Sequence, residues 1–126
     1  MADSATEPTT VVVDPVKLKA LKIKTGVVKR YTKEKQSYEK EASMQRTKIE
    51  KFKQEGKDDY FIRQQEGCLK ESEMMVPEVQ RQLLKSYDEL KAIVDEQKGE
   101  LGGTGEYKTA VQTLDDAKPH LPDEST

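Results

Sequence analysis

The sequence predicts an all-α fold, an elongated three-helix bundle of two long antiparallel helices and a shorter C-terminal helix. Three observations predict it. Apolar residues recur at steps of three, four and seven over two long runs and one short run, the period of a helical stripe. Hydrophobic residues make up 33% and charged residues 37% of the 126-residue chain. That is too little apolar surface for a large globular core, but it suits long helices that each bury one stripe. Turn-forming residues gather where the runs stop, at GKDD (Gly56 to Asp59) and GELGGTG (Gly99 to Gly105). Trp is absent, aromatics are few and β-branched runs are short, which argues against a β-sandwich or a doubly wound α/β fold.

Residues 1–13 are small, polar and proline-containing, and read as a disordered tail. The bundle is expected over residues 14–118, with helices at about 15–54, 59–97 and 105–118. Asp14-Pro15 opens the first, because Asp caps free amides and Pro fits the first helical position. Its stripe is Leu18, Leu21, Val28, Tyr31, Tyr38, Ala42, Ile49 and Phe52. Gly26 interrupts it, either easing a close helix approach or fraying the first turns. The helix ends near Gln54 with Gly56 as the capping glycine.

Asp58 is the expected N-cap of the second helix, and the short connection favours an antiparallel hairpin. The second stripe includes Phe61, Gln65, Cys68, Leu69, Ser72, Met75, Val76, Val79, Leu83, Ser86, Tyr87, Leu90, Ile93 and Val94. Pro77 lies inside this run. A proline there costs roughly 3 kcal/mol, through one lost hydrogen bond and a clash with the carbonyl four residues back. Because the apolar phase passes through it unchanged and Val76 is a poor cap, a continuous helix kinked at Pro77, convex on the proline side, is expected, with a true break as the alternative. The Gly-rich stretch then reads as a flexible connection. Thr104 caps the third helix, whose apolar side is Tyr107, Ala110, Val111, Leu114 and Ala117, and Pro119 stops it. Residues 119–126 read as a flexible tail.

Charge is distributed unevenly. Residues 16–53 carry thirteen Lys or Arg against four acids, a net +9, and the rest carries nine against twenty, a net −11. Part of this is internal complementarity, and the excess suits an acidic partner. Cys68 is the single cysteine, so no intrachain disulfide is possible, as fits a reducing compartment. The first residues lack the basic and apolar regions of a signal peptide, and no apolar run approaches a membrane span. A soluble cytoplasmic protein is the expectation.

Catalytic chemistry finds little support. His120, the lone histidine, sits beside Pro119 and reads as exposed at a frayed end; Cys68, on the stripe without a neighbouring His, reads as a buried structural thiol. GGTG lacks the strand before it and the Lys-Ser/Thr after it that a phosphate loop needs. No catalytic, metal or cofactor-binding set is expected, and hence no cofactor and no enzyme. The candidate site is a partner surface instead. Lys22, Lys29, Lys33 and Lys40, with Arg30 beside them, are placed opposite the first helix's stripe, as a solvated face or as a docking surface for an acidic protein. No nucleic-acid motif and no membrane-surface helix accompanies them. Met74, Pro77 and Leu84 share an outer face of the second helix. They form either a small exposed apolar patch or a surface covered by a neighbouring helix.

Three stretches carry a family resemblance. IKTGVVKR (Ile23 to Arg30), with the Tyr31–Ala42 segment after it, resembles the first helix of the tubulin-binding cofactor A family. ESEMMVPEVQRQL (Glu71 to Leu83) is similar to that family's ES-x-MM-x-P-x-x-Q-R-x-L segment, proline included, and EYKTAVQTLDDAK (Glu106 to Lys118) to its last helix. Together they span about Leu21 to Lys118 in the right order. The longer N-terminal tail and the GELGGTG connection depart from the pattern. The resemblance implies a three-helix bundle acting as a tubulin-folding chaperone. It would capture β-tubulin after release from the cytosolic chaperonin and hold it before assembly with α-tubulin, alongside other folding cofactors, in a cytoplasmic, cytoskeleton-associated setting. A structural coiled-coil adaptor without chaperone activity is the alternative. Either a monomer or a homodimer is compatible with the stripes.

Overall fold

The computed structural model describes residues 12–123. Helix α1 is Pro15–Gln54, α2 is Asp59–Glu96, the short α3 is Lys98–Leu101, α4 is Gly105–Ala117, and a 3-10 turn follows at Lys118–His120. At about 1.5 Å per residue, α1 is a rod of roughly 60 Å. Asp14 caps it as expected: its side chain accepts from the Val16 amide, and Pro15 fills the first helical position. Gly56, at φ 73°, turns the chain at the far end in a conformation that L side chains rarely adopt. Asp58 stands at the start of α2, but its side chain makes no capping bond.

The long helices are antiparallel. Lys24 pairs with Glu89, Arg46 with Glu73 and Lys53 with Glu66, so partner numbers fall as α1 numbers rise. Phe52 and Phe61 close the hairpin edge to face, with ring centroids 5.0 Å apart. Helix α2 runs unbroken through Pro77.

The main core lies at the opposite end, where α1, α2, α3 and α4 meet. Leu21, Val28, Leu83, Leu90, Leu101, Ala110 and Ala117 are fully buried there, with Val94, Tyr107 and Leu114 around them. Each such Leu stabilises the fold by about 1.5–3 kcal/mol through its removal from water. Tyr107 satisfies its hydroxyl within this core by donating to the Val94 carbonyl at 2.8 Å.

Several expectations are corrected. The Gly-rich connection is not a bare linker: it contains α3, and Leu101 anchors it in the core. Gly102 follows because a Cβ there would meet the Lys98 carbonyl oxygen. Thr104 does cap α4, accepting from the Tyr107 amide and donating to the Leu101 carbonyl. Within α4 Val111 is exposed and Thr113 buried; the Thr113 hydroxyl bonds the Thr109 carbonyl, so its burial leaves no donor unmet. At Gly26 a Cβ would meet nothing within 4 Å, so no close helix approach explains it. The ends are also more engaged than tails. Val13 and Leu121 pack against the core, and the Asp14 amide donates to Glu100 at 3.0 Å. Residues 1–11 and 124–126, read as tail, lie outside the described residues.

Candidate functional site

The buried face of α1 explains where its cations point. Leu21, Val28, Lys35, Ala42 and Ile49 recur every seven residues and all are buried, Lys35 included. The Lys35 ammonium pairs with Glu39 at 2.9 Å and lies 3.4 Å from His120 Nδ1. An ammonium can only donate, so Nδ1 is the acceptor. The His120 carbonyl accepts from Gln80 at 3.2 Å. His120 is therefore tied to α1 and α2 and is half-buried, not frayed. Sequence reasoning missed Lys35, although the seven-residue series passes through it.

Ion pairs divide the cations of α1. Lys17, Lys24, Arg30, Lys35, Arg46 and Lys53 each have a carboxylate within 4.0 Å. Arg30 also lies over the Tyr31 ring, 4.9 Å from its centroid. Of the five basic candidates, Arg30 is thus internally engaged. Lys22, Lys29, Lys33 and Lys40 are exposed and have no ion pair among the described residues. They do not all face away from the bundle. Helix α4 packs along the same shoulder of α1, so Lys29 and Lys33 border a cavity of about 440 Å³ with Gln36, Thr113, Asp116 and His120. Lys22 and Lys29 border a second, of about 230 Å³, with Glu106 and Thr109.

At the start of α1, Glu100 accepts from the Asp14 amide and from Lys17. Those donors, the amide first, hold the Glu100 carboxyl below its usual range, and the bond to Glu100 raises Lys17.

The apolar candidates are exposed, Met74 by 61% and Leu84 by 40%. Met74 lines a cavity of about 420 Å³ with Tyr38, Cys68 and Met75. Pro77 lines another on the opposite side of the helix pair, with Glu39, Ala42 and Arg46. The two cavities share no lining residue and Leu84 borders neither, so the structure does not gather the trio around one groove. Cys68 is exposed in the first groove, contrary to the buried thiol expected; Gln65, Leu69 and Ser72 occupy the inward turns instead. Among the described residues, no group of three or more His, Cys, Asp or Glu is placed to hold a metal ion, and no helix is long and apolar enough to cross a membrane.

Fold and surfaces together define an elongated antiparallel three-helix bundle that carries its unpaired cations and exposed apolar side chains on its outer faces. The family model described as Tubulin binding cofactor A matches residues 16–114, and the chain belongs to that family. The tubulin-specific chaperone A of Gallus gallus is 49% identical over 105 residues, 83% of this chain and 95% of its own length. The solved structure titled human tubulin chaperone cofactor a is similar at a TM-score of 0.70 and 44% identity, covering 81% of this chain and 98% of its own. The crystal structure of tubulin folding cofactor A from Arabidopsis thaliana is similar at a TM-score of 0.76 and 34% identity, covering 84% and 99%.

Proposed function

We propose that this chain is a tubulin-folding chaperone. It captures and stabilises β-tubulin folding intermediates after their release from the cytosolic chaperonin, before α/β-heterodimer assembly. The observation that carries the reading is the family match over residues 16–114, with relatives named as tubulin-specific chaperones that align over nearly their whole length. The geometry supports it: the bundle offers long outer faces to a partner, with cations left unpaired on one and Met74 and Leu84 exposed on another. The mechanism is stoichiometric. Apolar side chains such as Met74 and Leu84 cover partner surface that would otherwise aggregate, and Lys22, Lys29, Lys33 and Lys40 steer acidic groups into place. Other folding cofactors then receive the subunit, in the cytoplasm and beside the cytoskeleton.

The test is capture of β-tubulin newly released from chaperonin, read as a complex on a native gel. Wild-type protein is expected to form the complex, and M74S/L84S to weaken it about tenfold with thermal stability kept, as for loss of two exposed apolar anchors. No complex with the wild-type chain overturns the reading; full capture by the double variant removes those two residues from it.

A further inference from the structure

The unpaired lysines and the seam between α1 and α4 coincide, and we propose that this seam is a channel for one extended acidic peptide segment of the captured protein. The identity of that protein rests on the chaperone reading above; the channel itself rests on the following geometry. Three cavities, of about 510, 230 and 440 Å³, lie end to end along the seam. The first and second share Lys22 and Glu106, and the second and third share Lys29. From Leu18 to Gln36 the channel follows α1 for about 27 Å at 1.5 Å per residue. That length holds about eight residues of extended chain.

Charge selects the occupant. On the α2 side of α1, Lys24, Arg46 and Lys53 are neutralised by Glu89, Glu73 and Glu66. Along the seam, Lys19, Lys22, Lys29 and Lys33 have no ion pair among the described residues. The facing wall contributes two carboxylates, Glu106 and Asp116. Four lysines against two acids leave +2, with the lysines in one row. An acidic strand lying against that row gains four cations and keeps clear of the wall carboxylates. Ile23, 55% exposed, stands beside Leu18 in the first cavity, so an apolar side chain at one end of the segment fixes its direction.

The probe is a fluorescein-labelled nonapeptide, one leucine followed by alternating glutamate and glycine, titrated by anisotropy at low salt against the full chain. Wild-type protein is expected to bind it. K22E/K29E/K33E should weaken binding on the order of tenfold or more, the combined worth of three exposed ion pairs. K48E/K51E/K57E, the same charge change away from the channel, should stay within about threefold. E106Q/D116N should tighten binding, because it removes the facing carboxylates. The neutral set K22Q/K29Q/K33Q should also weaken binding, by less than the charge reversal because it removes the cations without adding anions, and circular dichroism checks helicity. No binding by wild type, equal losses in both triple-Glu variants, or equal competition by a single-stranded oligonucleotide of matched charge overturns the channel. β-Tubulin capture is run in parallel. Capture without peptide binding overturns the channel and leaves the chaperone reading standing; peptide binding without capture does the reverse.

Discussion

Lys35 occupies a position that the seven-residue series of α1 gives to Leu21, Val28, Ala42 and Ile49. Its side chain is 9% exposed, while that of its partner Glu39 is 47% exposed. A charge in such a place is costly to strand and cheap to replace. Taking away the carboxylate leaves the ammonium without its closest compensating charge, whereas an apolar side chain of similar length removes the need for compensation. Lys35→Met is therefore expected to hold stability within about 1 kcal/mol. Glu39→Gln should lose about 1 kcal/mol, toward the lower end for a broken pair because water reaches the carboxylate. Urea unfolding of both variants checks this. The reverse order would show that the contact with His120 Nδ1 outweighs the pair. The candidate site was legible only in part at this scale. That Lys22, Lys29, Lys33 and Lys40 are exposed follows from the phase of the α1 stripe. Which cations remain unpaired does not, because partners such as Glu89 and Glu73 come from α2 and depend on the register between helices. Cys68 was misread because the apolar phase of α2 is broad there, and Gln65 and Ser72 take the inward positions.

Helix α2 shows what a single element tolerates when its neighbours hold it. Pro77 offers no amide to the carbonyl four residues back, at Glu73, and the ring crowds that carbonyl. The helix continues regardless, because Ser72, Val79, Leu83 and Ser86 remain buried on both sides of the proline. Packing, rather than local propensity, decides the element. Pro77→Ala restores the amide and the helix propensity. It is expected to raise stability by about 2–3 kcal/mol and the melting temperature by on the order of 10 °C, read by thermal unfolding. A lower melting temperature would show that the ring's place beside Ala42 and Val76 contributes more than the lost bond costs. The ends of α1 were legible because Asp14-Pro15 and Gly56 act locally, through a cap and a positive φ. The connection after α2 was not. Its glycines mask Leu101, whose burial is decided by α4 and the core rather than by neighbours in sequence. Val111 and Thr113 exchanged roles for a similar reason: α4 meets α1 and α2 together, and that junction fixes its inward arc.

Over the whole molecule the apolar burial is lopsided. The contiguous core joins α1, α2, α3 and α4 at the end where Leu21, Leu90, Leu101 and Tyr107 meet. Beyond the 3-10 turn, α1 and α2 continue as a two-helix hairpin. Its buried side chains are few, Ala42, Ile49, Ile62 and Ser72 among them, and its cross-helix contacts lean on exposed pairs such as Arg46–Glu73 and Lys53–Glu66. Exposed ion pairs contribute about 0–1 kcal/mol each, against about 1.5–3 kcal/mol for each fully buried Leu of the core. With so few buried apolar side chains in the two-helix segment, local opening there exposes little additional apolar area. Amide protection should therefore fall along the rod. Hydrogen exchange is expected to be slowest over residues 83–94 and 107–117 and faster by at least about tenfold, roughly 1.4 kcal/mol in opening free energy, over 45–70. Mass spectrometry of deuterium uptake resolves the two regions. Uniform protection would mean that the hairpin and the three-helix end open only together. The expected gradient would mean instead that the Gly56 end opens while the seam between α1 and α4 stays formed, so that the proposed peptide channel belongs to the most persistent part of the fold.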